Sequence, residues 1–122
     1  MSVEFKYLAD KDVLVGTVSG TYVISNDTSG LERALAKLKE HNCSRLLADY
    51  REGEFVAEIL PAYHRPRVLK KLGADRSLKM ATVYRELDEL TRSTETFYRN
   101  AGWNVRDFTD YDAAIEWLIS DD

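Results

Sequence analysis

The 122-residue sequence predicts an α/β domain with a mixed, mostly parallel central sheet flanked by helices. An apolar-alternating run and a second, mostly apolar run joined by four residues open the chain, which is the pattern of an antiparallel hairpin. Three further short apolar runs each follow a stretch with helical spacing, as parallel strands with crossover helices do. A last helical stretch closes the order β-β-α-β-α-β-α-β-α.

Val3, Phe5 and Tyr7 alternate with Glu4 and Lys6, so the first strand covers about 3–8. Ala9 to Asp12 form a turn, and Val13–Val18 the second strand, closed by Gly20. Asn26, Asp27, Thr28 and Ser29 can each cap a helix, because a short side-chain oxygen accepts an orphan backbone N–H. Thr28 or Ser29 ahead of Glu32 resembles a capping box. Leu31, Ala34, Leu35 and Leu38 then make one stripe, so the first helix runs to about His41. Arg45–Asp49 reads as a short strand buried on both faces, and the acidic run around Gly53 as a charged loop after it.

From Phe55 to Leu72 the apolar residues Ile59, Leu60, Tyr63, Leu69 and Leu72 suggest a helix. Pro61 and Pro66 predict that it is broken or kinked, since an interior proline removes a backbone bond and crowds the preceding turn. Gly73 ends it. Lys79–Tyr84 is the fourth strand. Leu87, Leu90, Thr94, Phe97 and Ala101 form the stripe of the third helix, with Gly102 as its C-cap. Asn104–Phe108 is the fifth strand. Asp110 caps the last helix, whose stripe is Tyr111, Ala114, Ile115 and Leu118. Trp117 falls off that stripe and is assigned to a helix–helix contact.

Composition narrows the function. With 44% hydrophobic and 31% charged residues the chain is an ordinary globular sequence. Its length suits a single domain over 1–122, burying roughly 65–70% of the unfolded surface. A net charge of −4 gives no general attraction to nucleic acid or an anionic membrane. Cys43 is the only cysteine, so neither an internal disulfide nor a cysteine-based zinc site can form. There is no signal-peptide pattern and no apolar run near the ~20 residues of a membrane helix, so a soluble cytoplasmic protein is expected.

Candidate residues follow from the fold class. Parallel sheets present ligands and functional loops outside the carboxyl ends of their strands. Here those ends lie near Asp49–Gly53, Tyr84–Asp88 and Phe108–Asp110. Asp49, Tyr50, Arg51 and Phe55 are therefore candidates, and Tyr63 and Tyr84 add aromatic surface for a shallow pocket. Residues 64–79 hold Arg65, Arg67, Lys70, Lys71, Arg76 and Lys79 against the single acid Asp75, a basic stretch in an acidic chain. It suits a phosphate, an acidic partner or a lipid headgroup. The six acids from Asp107 to Asp122 could meet that stretch in a second copy, giving a homodimer.

Catalytic patterns do not emerge. His41 and Cys43 sit two apart but adjacency supplies no activated thiolate. His64 stands alone between prolines, without metal-ligand spacing. The phosphate-loop signatures are absent, and Gly16 and Gly20 mark a turn or bulge. No cofactor or metal is expected.

The element order, with LKMATVY and FYRNAGWNVRDFTDYDAAIEWL, resembles the STAS domain, the fold of the anti-sigma-factor antagonists. It is more closely similar to the SpoIIAA-like (STAS/SEC14-like) family of small bacterial proteins. Gly102, Phe108, Asp110, Ala113, Ala114, Trp117 and Leu118 match that pattern, and LLADYR matches its central strand ending in Asp. These are packing motifs and carry no chemistry. Antagonist domains of this kind place a phosphorylatable Ser or Thr just after the central strand, whereas this chain has neither between Arg45 and Leu60.

The resemblance implies a non-enzymatic interaction and regulatory module that docks an unidentified protein through Asp49–Phe55 and Arg67, Lys70 and Lys71. Its SEC14-like side implies an alternative, a carrier of a small apolar ligand or lipid. The proline-interrupted helix would then be its mobile lid, and Ile59 and Leu60 would meet the cargo. An enzyme ranks last, since no nucleophile–base or metal constellation is visible.

Overall fold

The computed structural model describes residues 2–24, 28–57 and 59–121, with the side chains of Ile24, Phe55, Ala57 and Ile59 outside that description. The elements are β1 (Ser2–Leu8), β2 (Val13–Ile24), α1 (Ser29–Glu40), β3 (Arg45–Ala57), α2 (Ile59–Lys71), β4 (Lys79–Val83), α3 (Glu89–Asn100), β5 (Asn104–Phe108) and α4 (Tyr111–Ile119). This is the order the sequence predicts. The strands lie side by side in chain order in one five-stranded sheet. β1 is antiparallel to β2, and all later neighbours are parallel.

That strand order decides where the helices go. Crossovers between parallel strands are right-handed. Each crossover here steps to the next strand in the same direction, so α1, α2 and α3 all fall on one face. Their Ala34, Leu38, Leu69 and Tyr98 pack there with Leu14, Leu46, Met80 and Val105 of the sheet. α4 covers the opposite face, where Ala114, Ile115, Trp117 and Leu118 meet Val13, Val15, Leu47, Ala81 and Val83. β4 lies between both layers and is buried at every position.

Local chemistry sets the helix ends. Asn42, Gly73 and Gly102 take positive φ after α1, α2 and α3. In each case the next N–H reaches back to close the last turn: Cys43 to Leu38, Ala74 to Leu69 and Trp103 to Tyr98. α3 begins in a capping box, with Asp88 accepting from the Thr91 N–H at 2.8 Å and Thr91 Oγ1 accepting from the Asp88 N–H at 3.0 Å. Asp110 accepts from the Asp112 N–H at 2.9 Å to start α4. Asn26 and Asp27 lie outside the described residues. Thr28 is the N-cap of α1, and its hydroxyl meets Glu32 at 3.3 Å instead of capping the backbone.

Four expectations need correction. β2 does not stop at Gly20 and β3 does not end at Asp49, because the two strands run on together to Ile24 and Ala57. The run around Gly53 is therefore strand. A bulge marks its start: the register passes from Thr17 opposite Asp49 to Ser19 opposite Glu52, so Tyr50 and Arg51 together oppose Val18. Gly53 is needed in that close pairing, since a Cβ there would lie 2.7 Å from the Gly20 carbonyl oxygen.

α2 is continuous from Ile59 to Lys71. Pro61 sits in its first turn, where its missing N–H has no intrahelical partner to lose, and Pro66 is carried inside the helix. The α3 stripe is also rotated from the apolar count. Thr94 is buried as expected, but Thr91 and Tyr98 are buried with it while Leu90 is exposed. The threonine hydroxyls are satisfied locally, Thr94 donating to the Leu90 carbonyl at 2.9 Å. Finally, Trp117 belongs to the layer between α4 and the sheet and not to a seam between helices. It packs on the sheet, with its ring centre 5.8 Å from that of Phe108 and Lys79 Nζ 4.6 Å from its own.

Candidate functional site

Alternation along the strands builds two unlike surfaces. On the face covered by α1, α2 and α3, the side chains are Gly16 and Val18 from β2, Leu46, Ala48 and Tyr50 from β3, Met80 and Thr82 from β4, and Val105 and Asp107 from β5. Small residues at Gly16 and Ala48 leave room above them. The result is a cavity of about 90 Å³ between this face and the helices. Tyr22, Tyr50, Tyr84 and Tyr98 supply its aromatic wall. Tyr50 and Tyr84 stack with ring centres 5.2 Å apart and planes 10° from parallel, and Tyr22 tilts onto Tyr50 at 5.3 Å. Burial pushes the phenols of Tyr50, Tyr84 and Tyr98 up, so they stay neutral hydrogen-bonding groups at ordinary pH.

One residue of α2 enters this cavity with a charge. Arg65 is 3% exposed, and neither of its terminal guanidinium nitrogens has a hydrogen-bond partner among the described residues. On the far strand, Asp107 Oδ1 accepts from the Thr82 hydroxyl while Oδ2 is buried without a partner among them. Burial raises the Asp107 carboxyl from its ordinary 3.8 to about 7. The Thr82 hydrogen bond and the Arg99 charge pull it down, and neighbouring Glu95 pushes it further up. Glu95 is engaged elsewhere, with Arg99 Nε at 3.3 Å and the Asp107 N–H at 3.3 Å. The cavity thus combines a flat aromatic wall, a cation without a counter-charge among the described residues and a carboxyl that is easily protonated.

The expected site residues divide among several places. Tyr50 and Tyr84 come together in the cavity wall. Asp49 and Arg51, their neighbours in sequence, point to the opposite face by strand alternation. There Arg51 donates to both Asp49 oxygens, at 3.0 and 2.9 Å, and lies over the Tyr111 ring at 5.0 Å. Burial pulls the Asp49 carboxyl up, but these bonds and the Arg51 N–H more than offset it and hold it below its usual value. Arg67, Lys70 and Lys71 are exposed on the outer side of α2 with Tyr63, whose ring meets Phe97 edge-on at 5.3 Å. The side chains of Phe55 and Ile59 lie outside the described part of the structure.

The basic stretch is not one surface. Arg65 is buried on the cavity face and Lys79 on the α4 face, where Nζ binds the Trp117 carbonyl and both the carbonyl and hydroxyl of Ser120. Arg76 stacks on Trp103 at 4.3 Å. In the sequence Arg65 is one more cation of a basic run, and Asp107 is one more acid of the tail. Both carry a signal. Ala62, Arg65, Pro66 and Leu69 fall at i, i+3, i+4 and i+7, the inner stripe of α2, and Asp107 sits two residues from Val105 on an alternating strand.

A wider groove of about 820 Å³ runs between the ends of α1 and α2. None of its lining side chains has a buried polar atom without a partner. Cys43 borders it, but its thiol is pushed up by burial and lies 3.3 Å from the Asp12 carbonyl. His41 stacks on Tyr7 at 4.1 Å. Among the described residues no group of three His, Cys, Asp or Glu side chains could hold a metal, and no helix is long and apolar enough to cross a membrane.

No protein-family model and no curated protein sequence matches the chain. Its fold is that of solved SpoIIAA-like structures. The anti-sigma factor antagonist SpoIIAA in its unphosphorylated form superposes with a TM-score of 0.56 at 10% identity, over 96% of this chain and 97% of that one. A DUF3478-family protein with a SpoIIAA-like fold from Shewanella loihica PV-4 gives a TM-score of 0.56 at 15% identity, over 96% and 92%. At these identities the likeness establishes the fold alone.

Proposed function

We propose that this chain is a non-enzymatic regulatory module that takes a small ligand into the cavity beneath α2 and presents the outer side of α2 to a protein partner. The observation that carries this is the two-sidedness of one helix. Its inner stripe puts Arg65 into the cavity, while its outer side exposes Leu60 at 67% and Tyr63 at 54% beside Arg67, Lys70 and Lys71. Large exposed apolar groups beside cations are the composition of an interaction surface. A ligand seated under the helix would change how that surface is held.

The SpoIIAA-like fold supports a regulatory role, since the solved relative of that name is an anti-sigma factor antagonist. A Ser/Thr phosphorylation switch after β3 is not part of the proposal, because no hydroxyl residue other than Tyr50 lies between Arg45 and Leu60. The lid differs from the one expected from sequence. α2 would move as a single helix, not at breaks beside its prolines.

Native mass spectrometry of the protein purified from its own host, without denaturation, tests the proposal. A small co-purifying mass and a second protein held at low salt are expected. Reversing Arg67, Lys70 and Lys71 to Glu should release the protein and leave both the small mass and the helical content unchanged. A bare chain with neither companion would overturn it.

A further inference from the structure

The chemistry of the ligand can be taken further, on the premise that the cavity is a ligand site. A guanidinium withdrawn from water is costly unless a counter-charge or several acceptors replace its hydration. Arg65 has neither at its two terminal nitrogens among the described residues. The acids on the same wall are committed: Glu95 to Arg99 and the Asp107 N–H, Asp107 Oδ1 to Thr82. Two parallel free N–H donors on a planar fork match the two oxygens of a carboxylate. One cation neutralises one negative charge, so a dianionic phosphate would bring an uncompensated charge into the cavity beside Glu95. The size is also restrictive, since an apolar cavity of roughly 150 Å³ admits benzene and this one is smaller. The stacked Tyr50–Tyr84 pair offers a flat wall for the rest of the molecule.

We propose that the cavity binds a small monocarboxylate with a compact aliphatic body, its carboxylate bridging the two terminal nitrogens of Arg65 and its body lying against Tyr50 and Tyr84. Asp107 Oδ2, also buried without a partner, is placed to bond a polar substituent on that body.

The test is an NMR titration of the full ¹⁵N-labelled chain with two matched pairs, propionate against propionamide and isobutyrate against isobutyramide. The members of each pair have nearly the same shape and differ in charge. The carboxylate should shift the Arg65 Nε and the Thr82 and Thr94 amides and bind about 10- to 100-fold more tightly than its amide. Arg65→Gln should bring the pair to equal affinity, and Arg65→Lys should recover only part of the difference. If both members bind with equal affinity at these residues, the cavity remains a ligand site and the carboxylate assignment is overturned. If neither binds at millimolar concentration, the carboxylate assignment fails. A co-purifying mass that is neutral, phosphorylated or larger than a short-chain acid would then show that the site itself survives. The acid–amide comparison in the unaltered protein decides the matter even if Arg65 variants do not fold.

Discussion

Among the described residues each face of the sheet holds a buried cation and a carboxylate at least partly buried, and the two faces treat them in opposite ways. On the α4 face, Lys79 is fully engaged at the C-terminal end of α4, and Asp49 holds three bonds from Arg51. On the face beneath α1, α2 and α3, Arg65 keeps two nitrogens without partners and Asp107 keeps one oxygen, among the described residues. A buried charge whose bonds are complete supports the fold. A buried charge left incomplete lowers stability unless something else completes it. The α4 face is therefore built for holding the chain together, and the opposite face carries a cost that a ligand would offset.

This contrast can be broken by substitution. The largest effect is expected at Lys79. Lys79→Ala should cost about 2–4 kcal/mol in urea unfolding, because it takes a charged donor from the Trp117 and Ser120 carbonyls and removes a cation from the helix C-terminus. A loss below about 0.5 kcal/mol would mean that burial on this face is no more committed than on the other.

Asp107→Asn comes next, with the opposite sign. The folded protein holds this proton more tightly than the unfolded chain, where the carboxyl titrates near 3.8. Between about pH 4 and pH 7 the native state binds more protons, so this group's contribution to stability falls as pH rises. Asp107→Asn should therefore stabilise the protein at pH 8 by about 1–3 kcal/mol and flatten the profile between pH 4 and 7. A steeper profile in the variant would contradict the burial of this carboxyl.

Arg65→Met, which keeps most of the side-chain volume and removes the charge, should leave the ligand-free protein unchanged or more stable by up to about 2 kcal/mol. Measured destabilisation above about 1 kcal/mol would mean that Arg65 has partners within the fold, and the distinction between the faces would collapse. The smallest effect belongs to Arg51→Ala. Its side chain is 43% exposed, so solvent screens the pair with Asp49, and about 0.5–1 kcal/mol is expected from thermal unfolding at low salt.

Periodicity along the chain is enough to make the order of all nine elements legible. It fails where burial and polarity part company. The paired extensions of β2 and β3 carry Ser19, Glu52 and Glu54, and residues such as Thr21, Val23, Glu54 and Val56 are exposed. With little covering them, no apolar alternation marks them as strand, and Glu52-Gly53-Glu54 resembles a loop. An apolar count misplaces part of the α3 stripe because Thr91 buries a hydroxyl that is satisfied within its own turn, whereas Leu90 faces solvent. The candidate site is half visible in the sequence. Tyr50 and Tyr84 stand out for lying near strand ends, and they do meet. Asp49 and Arg51 stand out with them, but the alternation of a strand sends adjacent residues to opposite faces.

What the sequence determined alone is what depends on neighbours along the chain: the turn and cap residues, the helical and strand spacings, and through them the order of elements. The handedness of parallel crossovers then leaves few arrangements open. Which cations are solvated and which are buried was decided only in three dimensions. Arg65, Arg67 and Lys79 look alike in a basic run, and their fates are set by which layer closes over each one. Desolvation depends on distant segments: α1, α3 and the tyrosines for Arg65, and the end of α4 for Lys79. No local pattern encodes whether those segments bring a partner for the charge or leave the place for a ligand.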